Sequence, residues 1–386
     1  MVNKFLGLVL LIVMGLAGCT KDGDGPSTLS ESYYTDDVSQ PGRPGDADQA
    51  GVITAGEWND LDNWQFLENI LKKADFKGIS AKWDYFNLNR ISVLVKGTDS
   101  LPVVDALVKL KSGAATVFTA RTDNQGRAEL WPDLYGTAET GVANLSIDVN
   151  NGAAVIANVK SYQSGSNKII VPPGIKSNKI EVAFVVDATG SMGDELRFLN
   201  TELLDVISRV KKDNPSSELT TASVFYRDKG DEYVTRVSGF TSNINTTLNF
   251  IKDQQAAGGG DIPEAVHSAL DKTINELQWS PGSKTRLAFL ILDAPPHQTA
   301  EVLNNLKSSI LKAAEKGIKI IPVTASGTDK ETEFLMRFIA ITTNGTYVFI
   351  TDHSGIGNDH LEATVGEYQV EFLNNLMVRL INKYAQ

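Results

Sequence analysis

The stretch from Ile180 to Gly193, Ile-Glu-Val-Ala-Phe-Val-Val-Asp-Ala-Thr-Gly-Ser-Met-Gly, constrains the fold more than any other. Apolar, largely β-branched side chains run almost unbroken from Ile180 to Val186, as in a strand buried on both faces of a parallel sheet. Asp187 follows, with hydroxyls two and four residues further on at Thr189 and Ser191. Leu196, Leu199, Leu203, Leu204, Ile207 and Val210 then recur at helical spacing, and Ser191 with Asp194 reads as a helix start. A strand, a polar loop and a helix put oxygen donors at the strand's carboxyl end, where open α/β sheets hold ligands.

The alternation continues to the C-terminus. Strands are predicted at 180–186, 219–226, 233–240, 286–292, 318–323 and 347–350, with helices between them and a last one near 366–384. This predicts an α/β domain over 178–386, a doubly wound, Rossmann-like sheet with helices on both faces. Two further loops are polar. Gly258-Gly259-Gly260-Asp261-Ile262-Pro263-Glu264 lies between helical stretches, and Asp293-Ala294-Pro295-Pro296-His297 follows a strand. All three loops are expected at one edge of the sheet. Carboxylates and hydroxyls without cysteine or clustered histidine are hard donors, which favours Mg²⁺, Mn²⁺ or Ca²⁺ over zinc. The glycine run is no phosphate loop, because no Gly-Lys-Ser/Thr follows it.

Residues 91–171 change period. Ala106, Val108 and Leu110 alternate with other residues, as do Leu145, Ile147 and Val149, and Asn151-Gly152 and Asp123-Asn124-Gln125-Gly126 are turn signals. The expectation is a smaller antiparallel β-sandwich over 91–174. Pro102-Val103-Val104-Asp105-Ala106-Leu107-Val108 with Thr122-Asp123-Asn124-Gln125-Gly126-Arg127-Ala128 resembles the carboxypeptidase-regulatory-like, or transthyretin-like, sandwich. That resemblance implies a spacer or adhesive module. Residues 56–90 read as a helical, aromatic connector with a helix over 57–73; Trp58, Trp64 and Trp83 fit core packing, or carbohydrate stacking.

At the N-terminus Lys4 precedes an apolar run from Phe5 to Ala17, the length of a signal-peptide core and too short to span a bilayer. It ends in Leu16-Ala17-Gly18-Cys19, which resembles the lipobox of bacterial lipoproteins. The resemblance implies that 1–18 is a signal peptide and that Cys19 is acylated, anchoring the chain to the membrane. An uncleaved anchor with an incidental cysteine is the plainer alternative. Cys19 is the only cysteine, so no intramolecular disulfide can form. Thr20 in place of aspartate argues, by the same resemblance, for the outer membrane. Lys21-Asp22-Gly23-Asp24 is similar to acidic surface-export tags, or is simply a solvated tether. Residues 19–55 carry few large apolar side chains and are expected to be a flexible tether reaching roughly 35 Å. The composition is otherwise globular, at 42% hydrophobic and 22% charged, and a net charge of −11 offers no basic footprint for nucleic acid.

With these loops in hand, 178–386 resembles a von Willebrand factor type A domain. The metal-ion-dependent adhesion site of that family has the pattern Asp-x-Ser-x-Ser, then a threonine, then an aspartate. Asp187, Thr189 and Ser191 match the first part, with a hydroxyl kept at Thr189, and Asp293 matches the last. Asp261 stands where threonine is expected, as in a bacterial subgroup. The resemblance implies a divalent cation, Mg²⁺ above all, held by Asp187, Thr189, Ser191, Asp261 and Asp293. It also implies a protein partner. A second directly bound aspartate would hold the ion more firmly and weaken its pull on an acidic ligand.

His297 is read as supporting the site or lying on the surface, Arg227, Asp228 and Asp231 as a turn, and Asp352–His360 as a long loop without EF-hand spacing. No nucleophile has a paired base, and His267 and His297 lack a triad context, so no enzymatic role is expected. The reading is a lipid-anchored envelope protein whose type A domain binds a protein partner; a scaffold with a purely structural ion is the alternative. Cys19→Ser is expected to move the protein from the membrane fraction to the soluble fraction, which cell fractionation followed by immunoblotting reads directly.

Overall fold

The computed structural model describes residues 50–86, 89–136, 141–174, 176–260, 262–355 and 359–386. The expected signal peptide, Cys19 and the expected tether up to residue 49 lie outside the described residues. In chain order the first elements are β1 (Thr54–Trp58), α1 (Trp64–Leu71) and α2 (Ala74–Trp83). Seven strands follow: β2 (Ile91–Gly97), β3 (Leu107–Ser112), β4 (Ala115–Arg121), β5 (Arg127–Leu130), β6 (Leu145–Val149), β7 (Ala154–Ile156) and β8 (Asn167–Val171). Next come β9 (Lys179–Asp187), α3 (Gly193–Asp213), β10 (Glu218–Tyr226), β11 (Thr235–Thr241), α4 (Ile244–Lys252), α5 (Val266–Asp271) and β12 (Thr285–Leu292). The chain closes with α6 (Ala300–Lys316), β13 (Ile318–Thr324), α7 (Lys330–Thr342), β14 (Tyr347–Ile350), β15 (Glu371–Phe372) and α8 (Leu373–Ala385). Among the described residues no helix is long and apolar enough to cross a membrane.

The main sheet has eight strands in the order β11-β10-β9-β12-β13-β14-β1-β15. From β10 to β14 neighbouring strands are parallel. Every residue of β12 and β13 is buried, and both strands are apolar apart from Thr285, Arg286, Lys319 and Thr324. Helices cover both faces. Leu199, Leu203 and Val210 of α3 pack with Leu376 and Leu380 of α8 in one apolar cluster, while Leu270, Leu306 and Phe338, from α5, α6 and α7, belong to another. After β9 the chain moves to β10 and β11, then returns to β12 on β9's other side, so the topological switch point falls between β9 and β12.

Two expectations are corrected at the front of the chain. Residues 54–58 are not the end of a tether and the start of a helix; they form β1, antiparallel to both β14 and β15. Their partners lie some three hundred residues away, with Thr54 Oγ1 donating to Thr351 O at 3.3 Å across 297 positions, and local periodicity cannot register such pairing. Just before the strand, the Glu202 carboxylate of α3 accepts from the backbone N–H groups of Gly51 (3.0 Å), Val52 (2.9 Å) and Ile53 (3.2 Å). Further on, Arg337, fully buried on α7, donates through Nε and Nη2 to the Asp60 carboxylate at 2.9 and 2.6 Å. The tryptophans are core residues: Trp64 and Trp83 are buried, Trp64 lies 5.7 Å from Trp131 by ring centroids, and Trp83 Nε1 donates to Glu331 O at 3.0 Å.

Residues 91–171 fold into two small sheets, β5-β2-β8 and β4-β3-β6-β7. The inward residues Val108, Leu110, Leu145, Ile147 and Val149 are buried, as their alternation predicts. The pairing is not wholly antiparallel, since β2 and β8 run parallel. These sheets dock on the amino-terminal edge of the main sheet. Asp105 pairs with Arg286 of β12 at 2.8 Å, Asp123 with Lys319 of β13 at 3.6 Å, and Arg121 Nε donates to Glu315 O at 3.1 Å. All described residues fall in one compact unit, Gln40–Gln386. A fragment starting at residue 178 therefore lacks an interior strand and the carboxylate partner of a buried arginine. It is expected to show no cooperative urea transition, whereas a fragment starting at residue 50 unfolds in one, as followed by far-UV circular dichroism.

Candidate metal centre

Asp187 is the last residue of β9 and Asp293 follows the last residue of β12, so the two carboxylates flank the switch point at the carboxyl edge. Asp187 is fully buried and Asp293 is 7% exposed. Asp187 Oδ1 accepts from the Thr189 backbone N–H at 2.9 Å and from the Thr189 hydroxyl at 2.7 Å. The Thr189 and Ser191 hydroxyl oxygens lie 3.3 Å apart. With its proton committed to Asp187, the Thr189 oxygen keeps a lone pair for a cation. Thr189 is buried while Ser191 is exposed, so the site opens to solvent at Ser191.

The middle loop is laced to both of the others. Gly190 N–H donates to Gly258 O at 3.1 Å and Ala257 N–H to Ala188 O at 3.0 Å. On the far side Glu264 N–H donates to Pro295 O at 2.9 Å, and Glu264 forms a parallel bridge with Pro296. Asp261 lies outside the described residues, although both flanks of its loop are tied to the loops bearing Asp187 and Asp293. The segment 227–231 secures this lacing. Arg227 donates through Nε to Ala188 O at 3.1 Å and through Nη2 to Gln255 O at 2.7 Å, and Asp231 accepts from Gly259 N–H at 3.0 Å. His297 Nε2 sits 2.8 Å from Asp228 Oδ1, a supporting contact between the second strand's loop and the third.

Charge crowds this edge. Asp187 Oδ2, Asp293 Oδ1 and Glu264 Oε2 are buried side-chain oxygens without a hydrogen-bond partner. Burial, reinforced by the Asp293 charge, raises the Asp187 carboxyl to about 7. Burial raises Asp293 to about 6, with a hydrogen bond from Ser191 opposing it and Glu195 adding to it. Glu264 rises to about 8 through burial and then the charges of Asp187, Asp228, Asp293 and Asp231. Orphaned anionic oxygens in a low-dielectric site are what a divalent cation relieves, so the donors present fit such an ion. Among the described residues no three His, Cys, Asp or Glu side chains stand close enough to cage an ion by themselves. The hydroxyls of Thr189 and Ser191, Asp261 and water would have to complete the coordination.

Two acids here were not read from the sequence as site residues. Glu264 appeared only as the end of a motif, because its approach to Asp187 depends on the fold-back of the loop. Glu195, in the first turn of α3 and 1% exposed, accepts from Ser326 N–H at 3.1 Å and faces Asp293 from the other side.

Residues 181–356 match the family model described as von Willebrand factor A domain, and that segment is such a domain. Two curated proteins share part of the chain. A putative ariadne-like RING finger protein of Acanthamoeba polyphaga mimivirus is 31% identical over 131 residues, 34% of this chain and 12% of that protein. The alpha-protein kinase vwkA of Dictyostelium discoideum is 30% identical over 125 residues, 32% of this chain and 20% of that protein. The chain thus spans a fifth or less of the length of these relatives. Among solved structures, the conserved hypothetical protein BatB of Bacteroides thetaiotaomicron is similar at 16% identity and a TM-score of 0.36, covering 53% of this chain and 98% of that one.

Gly259 has no room for a side chain. Its φ is +67°, and a Cβ would stand 2.8 Å from Thr189 Cβ and 2.9 Å from Glu264 Oε1. Gly259→Ala is expected to lower the unfolding free energy by about 1–3 kcal/mol, read as a shift of the urea midpoint at unchanged m-value.

Proposed function

We propose that the protein is a bacterial envelope lipoprotein, anchored through Cys19, whose type A domain binds one divalent cation and holds a protein partner at that site. The observation that supports this most is the pair of unpartnered carboxylate oxygens, Asp187 Oδ2 and Asp293 Oδ1, buried on either side of the switch point. A fold that spends stability on unpaired buried charge keeps it for a ligand. Asp187, Thr189, Ser191, Asp261 and Asp293 supply the donors, with Mg²⁺ the expected ion and Mn²⁺ or Ca²⁺ its competitors. Ser191 and Ile262, which is 73% exposed, form the rim that a partner would meet. Type A domains are typically interaction modules and not enzymes. The outer membrane is the compartment the lipobox supports.

Removing the ion distinguishes the readings. Isothermal titration with Mg²⁺ and Mn²⁺ is expected to show one site, abolished by Asp187→Asn. Chelation is expected to release a captured protein partner while the circular dichroism spectrum stays unchanged. Loss of the folded spectrum on chelation would instead assign the ion a purely structural role, and absence of any divalent-ion heat would refute the site.

A further inference from the structure

We infer that Glu264 belongs to the ion's environment, holding it through a bound water, and that this carboxylate is kept for the ion and not for the fold. The inference rests on the metal-binding reading above and adds a residue to it. Four observations carry it. Glu264 is 2% exposed, yet its Oε2 has no hydrogen-bond partner. Its backbone is fixed, with the N–H on Pro295 O at 2.9 Å, so the side chain is aimed by the loop that also follows Asp293. A glycine stands between it and Thr189: a Cβ on Gly259 would touch both Thr189 Cβ and Glu264 Oε1 within 2.9 Å, which puts the carboxylate beside the hydroxyl loop. Finally, the Arg227 guanidinium of the neighbouring loop is already engaged by Ala188 O, Gln255 O and Glu232.

An acid in that position leaves one buried oxygen without a role in the fold. It makes no side-chain hydrogen bond through Oε2, and it shares a buried edge with Asp187 and Asp293, where each added negative charge repels the others. A divalent cation reverses the sign of that arrangement. Because no three acids among the described residues close around an ion unaided, Glu264 would act across one water, its carboxylate accepting a charge-assisted hydrogen bond from that water.

The test uses the detergent-solubilised full chain and its Glu264→Gln variant, with Mn²⁺ as the probe. Titration calorimetry gives the affinity, and thermal unfolding is followed with and without chelator. The expected result has two parts. Affinity for Mn²⁺ falls about 10–100-fold, the usual loss when a group orienting a metal ligand is removed. The chelated variant melts no lower than the chelated wild type, because an isosteric amide replaces a carboxyl that burial and its acidic neighbours already disfavour in the charged form. Equal Mn²⁺ affinity in variant and wild type would overturn the inference and leave the metal site standing. A chelated variant clearly less stable than the chelated wild type would overturn it too, by showing Glu264 to be structural. A wild type that binds no Mn²⁺ would overturn both this inference and the metal-binding reading.

Discussion

Burying like charges on both sides of a switch point is the constraint that organises the molecule. Asp187 and Asp293 repel each other in a site with little water, and folding puts them there only because much of the surroundings is committed to holding three loops in place. Arg227 spans Ala188 and Gln255, Asp231 fixes Gly259, and the Glu264 backbone ties the middle loop to Pro295. None of these contacts requires a cation. The loops are therefore preorganised around a gap in charge compensation, and a bound ion would restore the balance without paying for loop ordering.

The opposite edge of the sheet solves a different problem. The first residues of parallel strands leave side chains such as Arg286 and Lys319 with little solvent, and the small β-sheets supply Asp105 and Asp123 to meet them. The sandwich region is thus a cap on the α/β unit. The chain coming from the N-terminus enters the main sheet first, at β1, and only afterwards forms the two small sheets.

Legibility in the sequence followed burial. β9, β10, β12, β13 and β14 were plain because strands covered on both faces are mostly apolar, and their predicted bounds differ from the observed ones by a residue or so. β1 and β15, with five and two residues, carry no pattern of their own, because each exists only by pairing with remote strands. The edge strand β11 was placed, but its antiparallel direction was not readable from composition. At the site, Asp187, Thr189 and Ser191 were visible from spacing along one loop. Glu195 and Glu264 were not, since an acid in a first helical turn or after a proline has many ordinary uses. Glu202 shows the same limit: it interrupts the apolar face of α3, and its reason is the backbone of Gly51–Ile53, far away in the chain.

The place of β1 in the sheet also sets a timetable. Sheet pairings that span nearly the whole chain form late, after shorter loops have closed. The strands of the two small sheets lie within eighty or so residues of one another by ordinary contact spacing and can pair as soon as Val171 is available. β1 must wait for β14 and β15, about three hundred residues further on. Until then Val52, Ile53 and Ala55 have no core to enter. A chain built this way completes its main sheet only once β1 has met β14 and β15.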